Sequence, residues 1–191
     1  MRLSKPRLQP LPSEQVPDEV RKYTGSRPGA PVLNIYRTLS RYPKLAKRWL
    51  VFGAHILAKN TLSDREREIA ILRTGFRCRS EYEWGQHVRI GLSVGLTQAD
   101  VVAIAKGPDD AHWAAAEAAL LRATDELHDD SFIGDATWAA LCAHYDEKQL
   151  LDLIFTVGQY TLVSMVLNSL GVQLEEGTDG FAGTLGELAP E

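Results

Sequence analysis

The 191-residue chain is long enough for one domain with a sizeable core, and its 45% hydrophobic and 24% charged residues are ordinary for a globular protein. A formal net charge of -4, with no long basic run, argues against a broad cationic surface for nucleic acid. Cys78 and Cys142 form no CxxC pair and cannot make a disulfide framework, so a reducing, cytoplasmic setting is expected. No apolar run follows Arg2, Lys5 and Arg7, so no signal peptide is read there.

In chain order, Pro6, Pro10, Pro12, Pro17 and Pro28, with Pro31 just beyond, make residues 1–30 an extended Pro-rich arm, because proline blocks helix interiors. Helical periodicity then dominates. A short helix is expected over 32–40, stopped near Pro43. A second follows over 44–59, with Leu45, Trp49, Phe52 and Ile56 as its apolar stripe. Ser63-Asp64-Arg65-Glu66 has the form of a capping box, opening a helix to about Thr74. The next helix covers 80–94, with Gly95 suited to closing it through a left-handed cap. Another begins at Thr97 and ends at Gly107-Pro108. Asp109 or Asp110 is expected to cap a helix through Leu127, and helices over 135–144 and 147–170 complete the set.

The most apolar stretch, 150–172, is broken by Asp152, Gln159 and Asn168. It reads as a core or subunit-interface helix rather than a membrane span. From Glu175 the chain is Gly-rich and acidic, and a flexible tail over 175–191 is expected. No segment alternates like a strand. The reading is an all-α helical domain over 31–174 between an arm and a tail.

The chemistry concentrates between Glu66 and His87. Ser80, Glu83 and His87 fall at i, i+3 and i+7, on one helix face, and Glu68 on the preceding helix is positioned to meet them. An imidazole that titrates near neutrality beside two carboxylates makes a proton-transfer site. Tyr82 and Trp84 are suited to walling a partly dry pocket. Simpler roles compete. Ser80-Glu81-Tyr82-Glu83 also matches a capping box, and Glu68 is equally suited to a surface pair with a nearby arginine. Glu83 and His87, with Glu68 as a third ligand, allow a metal reading. It is the weaker one, since zinc normally wants three or four convergent ligands. Of Arg73, Arg77, Arg79 and Arg89, each is more simply a solvated charge, but at least one is expected to fork onto a substrate carboxylate, and Arg73 is the candidate. His55, His112, His128 and His144 lack a comparable neighbourhood.

EREIAILR followed by SEYEWGQH resembles the carboxymuconolactone decarboxylase family, which includes the alkyl hydroperoxidase D-like proteins. The likeness runs over about 33–171 and implies an alkyl hydroperoxidase D-like helical bundle. The family's redox branch carries a Glu, then CxxC, then a downstream His. Glu68 and His87 match the Glu and His, whereas Ser80 and Glu83 stand where the two cysteines would be, and Tyr82 precedes the second. A dithiol peroxidase needs a thiolate and a resolving thiol, so that antioxidant chemistry is disfavoured.

The non-CxxC branch implies a carbon–carbon lyase acting on a small carboxylated, lactone-type metabolite of aromatic breakdown. It implies no metal or organic cofactor, and a homo-oligomer, trimer or hexamer. In that reading Glu68, His87 and Glu83 are catalytic. Ser80, Tyr82, Trp84 and Arg73 are the substrate-binding candidates, Ser80 and Tyr82 as hydrogen-bond donors to an oxyanion. Isomerisation, lactone hydrolysis and a non-catalytic scaffold remain as alternatives. Nucleic-acid and membrane partners are not expected.

Overall fold

The computed structural model describes residues 2–24 and 30–190. Pro28, read as part of the arm, lies outside the described residues. Among those described there are helices and no strand: α1 (Asp18–Arg21), α2 (Asn34–Leu39), α3 (Pro43–Ala58), α4 (Asp64–Arg77), α5 (Glu81–Ser93), α6 (Gln98–Lys106), α7 (Ala115–Asp130), α8 (Asp135–Cys142), α9 (Glu147–Leu170) and α10 (Phe181–Leu185).

The bundle is built around α4. Ser63 accepts a hydrogen bond from the Glu66 N–H while the Glu66 carboxylate takes the Ser63 N–H, so the capping box read in the sequence opens this helix. The helix runs three residues past its expected end, and Arg79, at φ 50°, turns the chain into α5. Every residue from Arg67 to Gly75 is buried, because α5, α6, α7 and α9 pack on different sides of α4. Ile69, Leu72, Trp84, Leu120, Leu121 and Leu153 form the centre of that core.

Longest of the helices, α9 opens on Asp146, whose carboxylate accepts from the Lys148 and Gln149 N–H groups, and closes on Gly171 at φ 66°. It is long and apolar enough to cross a membrane. Its Leu153, Val157, Tyr160, Val163 and Leu167 are nonetheless buried against the rest of the protein.

Several expectations need correction. Pro43 does not stop α2 at a distance but opens α3, where the missing N–H of a first-turn proline is harmless. The buried face of α3 is Ala46, Leu50 and Ile56; Leu45 and Phe52 point outward. Neither Asp109 nor Asp110 caps α7. The Asp110 carboxylate accepts from the His112 N–H and closes a turn, and the helix begins only at Ala115. The arm is not a free extension. Val16 and Val20 are buried with Val32, Ala46 and Leu50, and the Arg7 N–H bonds the Leu170 carbonyl. Nor is the segment from Glu175 loose: Phe181 and Leu185 enter the main core. Gly85 on α5 makes that approach possible, since a Cβ there would lie 2.6 Å from the Asp179 carbonyl oxygen.

Arg73 is placed by the same core. Its guanidinium forks onto Asp125 of α7, with Nε–Oδ1 and Nη2–Oδ2 both at 2.7 Å, and Nη1 donates to the Ile104 and Ala105 carbonyls at the end of α6. The expected substrate ligand is thus a strut joining three helices. Removing it would leave two carbonyls without this donor and Asp125 with only the longer Arg77 Nη1 contact at 3.5 Å. Arg73→Met should therefore lower the unfolding free energy by about 3 kcal/mol in denaturant titration. A loss below about 1 kcal/mol, as for a surface pair, would contradict this role.

Candidate active site

Burying Glu68 on α4 obliges its carboxylate to find partners, and two side chains supply them. Glu68 is wholly buried. Its Oε2 lies 2.7 Å from His87 Nδ1, and its Oε1 accepts from Arg67 Nε at 3.2 Å. One turn before His87 on α5, Glu83 places Oε1 2.9 Å from His87 Nε2. The imidazole is therefore held at both nitrogens by carboxylates from two helices. Tyr160 of α9 packs edge-on against its ring, with centroids 5.0 Å apart.

Burial opposes a charged imidazole, but Glu68 and then Glu83 outweigh it and push the His87 pKa up to about 10. At neutral pH the group is an imidazolium bridging two carboxylates. Because Glu68 and Glu83 bind opposite ring nitrogens, they do not converge with His87 on one point as metal ligands must.

The capping-box reading of Ser80 and Glu83 does not hold. Ser80 is the N-cap of α5, but its side chain makes no capping bond, since Glu83 turns along the helix to His87 instead. Ser80 Oγ is buried without a hydrogen-bond partner.

Glu83 and His87 form part of the wall of a cavity of about 120 Å³ between α2, α3, α5 and α9. Apolar and aromatic side chains make up most of the remainder, among them Ile35, Tyr36, Trp49, Leu50, Tyr160 and Val163. Glu68 sits behind His87 and does not reach the cavity. Tyr82 also lines it, but its hydroxyl donates to Glu175 Oε1 at 2.8 Å and accepts from the Ile35 N–H. A hydroxyl so engaged is not a free oxyanion donor.

Ser80, Trp84 and Arg73 lie outside the lining. Trp84 packs at a tilt against Phe76 and Phe181 in the core, and its Nε1 donates to Thr184 at 2.7 Å. The cysteines are elsewhere too. Cys142 is exposed, and Cys78 Sγ lies 3.7 Å from His128 Nδ1, its thiol pushed up by burial.

Sequence reasoning missed Glu175 and Gln159. The Glu175 carboxylate gathers Tyr82 O–H, Gln86 and the Asn34 N–H, fixing one wall of the cavity. Gln159 interrupts the apolar run of α9, and that interruption was its signal. The other two interruptions are accounted for locally: Asp152 accepts from Thr61, and Asn168 donates to the Cys78 carbonyl.

Among solved structures, the fold matches an uncharacterized peroxidase-related protein with an alkylhydroperoxidase AhpD core from Ralstonia eutropha JMP134. The TM-score is 0.78 at 18% identity, covering 88% of this chain and 93% of that one. A cysteine-to-alanine variant of the debrominase Bmp8, in complex with 2,3,4-tribromopyrrole, gives TM-score 0.78 at 14% identity, covering 97% and 98%. An uncharacterized peroxidase-related protein from Silicibacter sp. TM1040 gives 0.73 at 17% identity, covering 93% and 96%. At these identities the likeness establishes the fold. No curated protein matches the chain. Residues 43–126 match the Carboxymuconolactone decarboxylase family. Over that segment the chain resembles the carboxymuconolactone decarboxylase family, and its fold is the one it shares with the alkylhydroperoxidase AhpD core.

Proposed function

We propose that this chain is an acid/base enzyme that moves a proton on a small molecule held in the cavity beside Glu83 and His87. The observation that carries the reading is the imidazole clamped between two carboxylates, with one carboxylate and the ring facing the cavity. Glu83 is the group suited to take a proton from substrate, and the His87 imidazolium to return one or to stabilise developing negative charge. Glu68 is a positioning residue: it fixes the ring and favours its cationic form without touching substrate.

A buried ionic triad is a poor way to stabilise a core, since well-packed apolar residues often do as well or better. That favours chemistry over the scaffold reading. Thiol peroxidase chemistry is disfavoured, because Ser80 and Glu83 stand at the CxxC positions and neither cysteine lines the cavity.

Among acid/base reactions, loss of carbon dioxide from a lactone acid is what the family name suggests. That reaction needs a seat for a carboxylate. Among the described residues the lining holds no Lys or Arg, and Arg73 is committed to Asp125. The His87 imidazolium is the cation of the described lining that such a carboxylate would meet, so decarboxylation and isomerisation by proton transfer both fit this relay. The apolar side chains that α9 leaves exposed, Leu151, Phe155, Leu162 and Met165, support a homo-oligomer, which sedimentation velocity tests directly.

His87→Gln should lower kcat on a turned-over substrate by roughly 10²–10⁴ with little change in KM. Unchanged kcat/KM would overturn the assignment. Glu68→Gln should lower kcat less and move the basic limb of the pH–rate profile downward, as expected for a group acting through His87.

The stability of the free protein gives a second test. The folded-state pKa of His87, about 10, lies above its ordinary value of 6.5. The stabilisation it provides is fully present below about pH 6.5 and is lost as pH rises through about 10. Denaturant unfolding between pH 6.5 and 10 should show wild-type stability falling by up to about 1.4 kcal/mol per pH unit more than that of His87→Gln. Parallel curves for the two proteins would contradict the clamp.

A further inference from the structure

The outer face of α9 has its own periodicity. From Leu151 onward the exposed positions of this helix are Leu151, Phe155, Gly158, Leu162, Met165 and Ser169. They recur at alternating steps of four and three residues, which is the spacing of a coiled-coil seam. The four large side chains are 48–59% exposed, while Leu153, Tyr160 and Leu167 on the other side of the helix are buried in the bundle. None of the six is charged.

Gly158, at the middle of the seam, is not explained by its own chain. A glycine inside a helix is less favourable than an alanine. Among the described residues nothing lies within 4 Å of a Cβ placed there, so the fold does not require its absence. The physical use left for a glycine at such a position is close approach by a second backbone.

The flanks extend the seam into a docking face. On one side Phe52 of α3 meets Phe155 edge-on, with ring centroids 6.0 Å apart, and exposed Leu45 lies two turns earlier on the same face of α3. On the other side a groove of about 300 Å³ runs between α7 and α9, lined by Leu127, Ile154, Val157 and Met165. The face thus offers both knobs and a hole. Over 151–169 the seam is about 27 Å long, and with α3 beside it about 20 Å wide. Two such faces together cover roughly 1,100 Å², above the ~1,000 Å² expected of a biological interface.

Deepening the homo-oligomer reading above, and resting on it, we infer that this face binds the same face of a second copy, α9 against α9, about a two-fold axis beside Gly158. A seam without charge meets its own copy with no like-charge repulsion, and it offers a charged partner nothing to pair with. A seam centred on its smallest residue lets the two backbones come closest at the axis, while the large side chains at either end seat on the partner.

Cysteine cross-linking and sedimentation velocity of the full chain test this. In a Cys78→Ser, Cys142→Ser background, Gly158→Cys should form an interchain disulfide under mild oxidation, because Cα atoms within about 7 Å can be bridged. Ala139→Cys, exposed on α8, should not. Leu162→Glu would place a carboxylate in the seam, and Met165→Lys an ammonium. Each should halve the assembled mass at micromolar concentration while keeping the wild-type circular dichroism, which separates a lost interface from a folding defect. An assembled mass unchanged in both variants, or a cross-link no stronger at 158 than at 139, would overturn the proposal and leave the homo-oligomer reading standing. A wild type that sediments as a monomer throughout would overturn both.

Discussion

Burial of α4 on all sides governs both the stability and the chemistry of this protein. A helix enclosed by four others can carry charged side chains only if each finds a partner, because an unpaired buried charge is far more costly than a surface one. Arg73 meets Asp125 and two carbonyls at the end of α6, which ties α4 to α6 and α7. Glu68 meets His87 and Arg67, which ties α4 to α5. The first pairing is structural throughout. The second brings an imidazole to the edge of a cavity, where it becomes available for chemistry.

The cavity gives that imidazole its context. Glu83 holds the second ring nitrogen from within the same helix, and Tyr160 closes the ring off from α9. Wall residues come from α2, α3, α5 and α9, and Glu175, beyond the last of these helices, locks Tyr82 and Gln86 in place. The result is a mostly apolar chamber with a proton relay at one side. Among the described residues, the ionised groups of its lining, Glu83 and His87, are paired with each other.

The relay was legible because its geometry is nearly local. Glu83 and His87 are one turn apart on one helix, and Glu68 lies on the adjacent helix after a short connection, so spacing alone brought them together. The capping box at Ser63 was equally accessible, being contained in four residues. At Ser80 the same four-residue pattern misled, since Glu83 had a buried imidazole to satisfy and the backbone did not compete.

Arg73 was misassigned because its partner lies 52 residues away, beyond what spacing can show. The apolar stripe of α3 was only half placed: Ile56 is buried and Trp49 packs against the core, but Leu45 and Phe52 face outward, since periodicity marks several faces of an apolar helix and packing alone selects one. The segment after Glu175 looked mobile from its glycines and acids, yet one carboxylate gathering three donors and two buried apolar side chains hold it. Of the polar residues in α9, Gln159 differs from Asp152 and Asn168 only in three dimensions. The most direct measurement is the protonation state of His87, read by long-range ¹H–¹⁵N correlation of the imidazole in histidine-labelled protein across pH. Both ring nitrogens carrying protons at pH 7.5, with titration near 10, is the expected result. A neutral tautomer at pH 7.5, titrating at or below 6.5, would show that the two carboxylates do not clamp the ring as described.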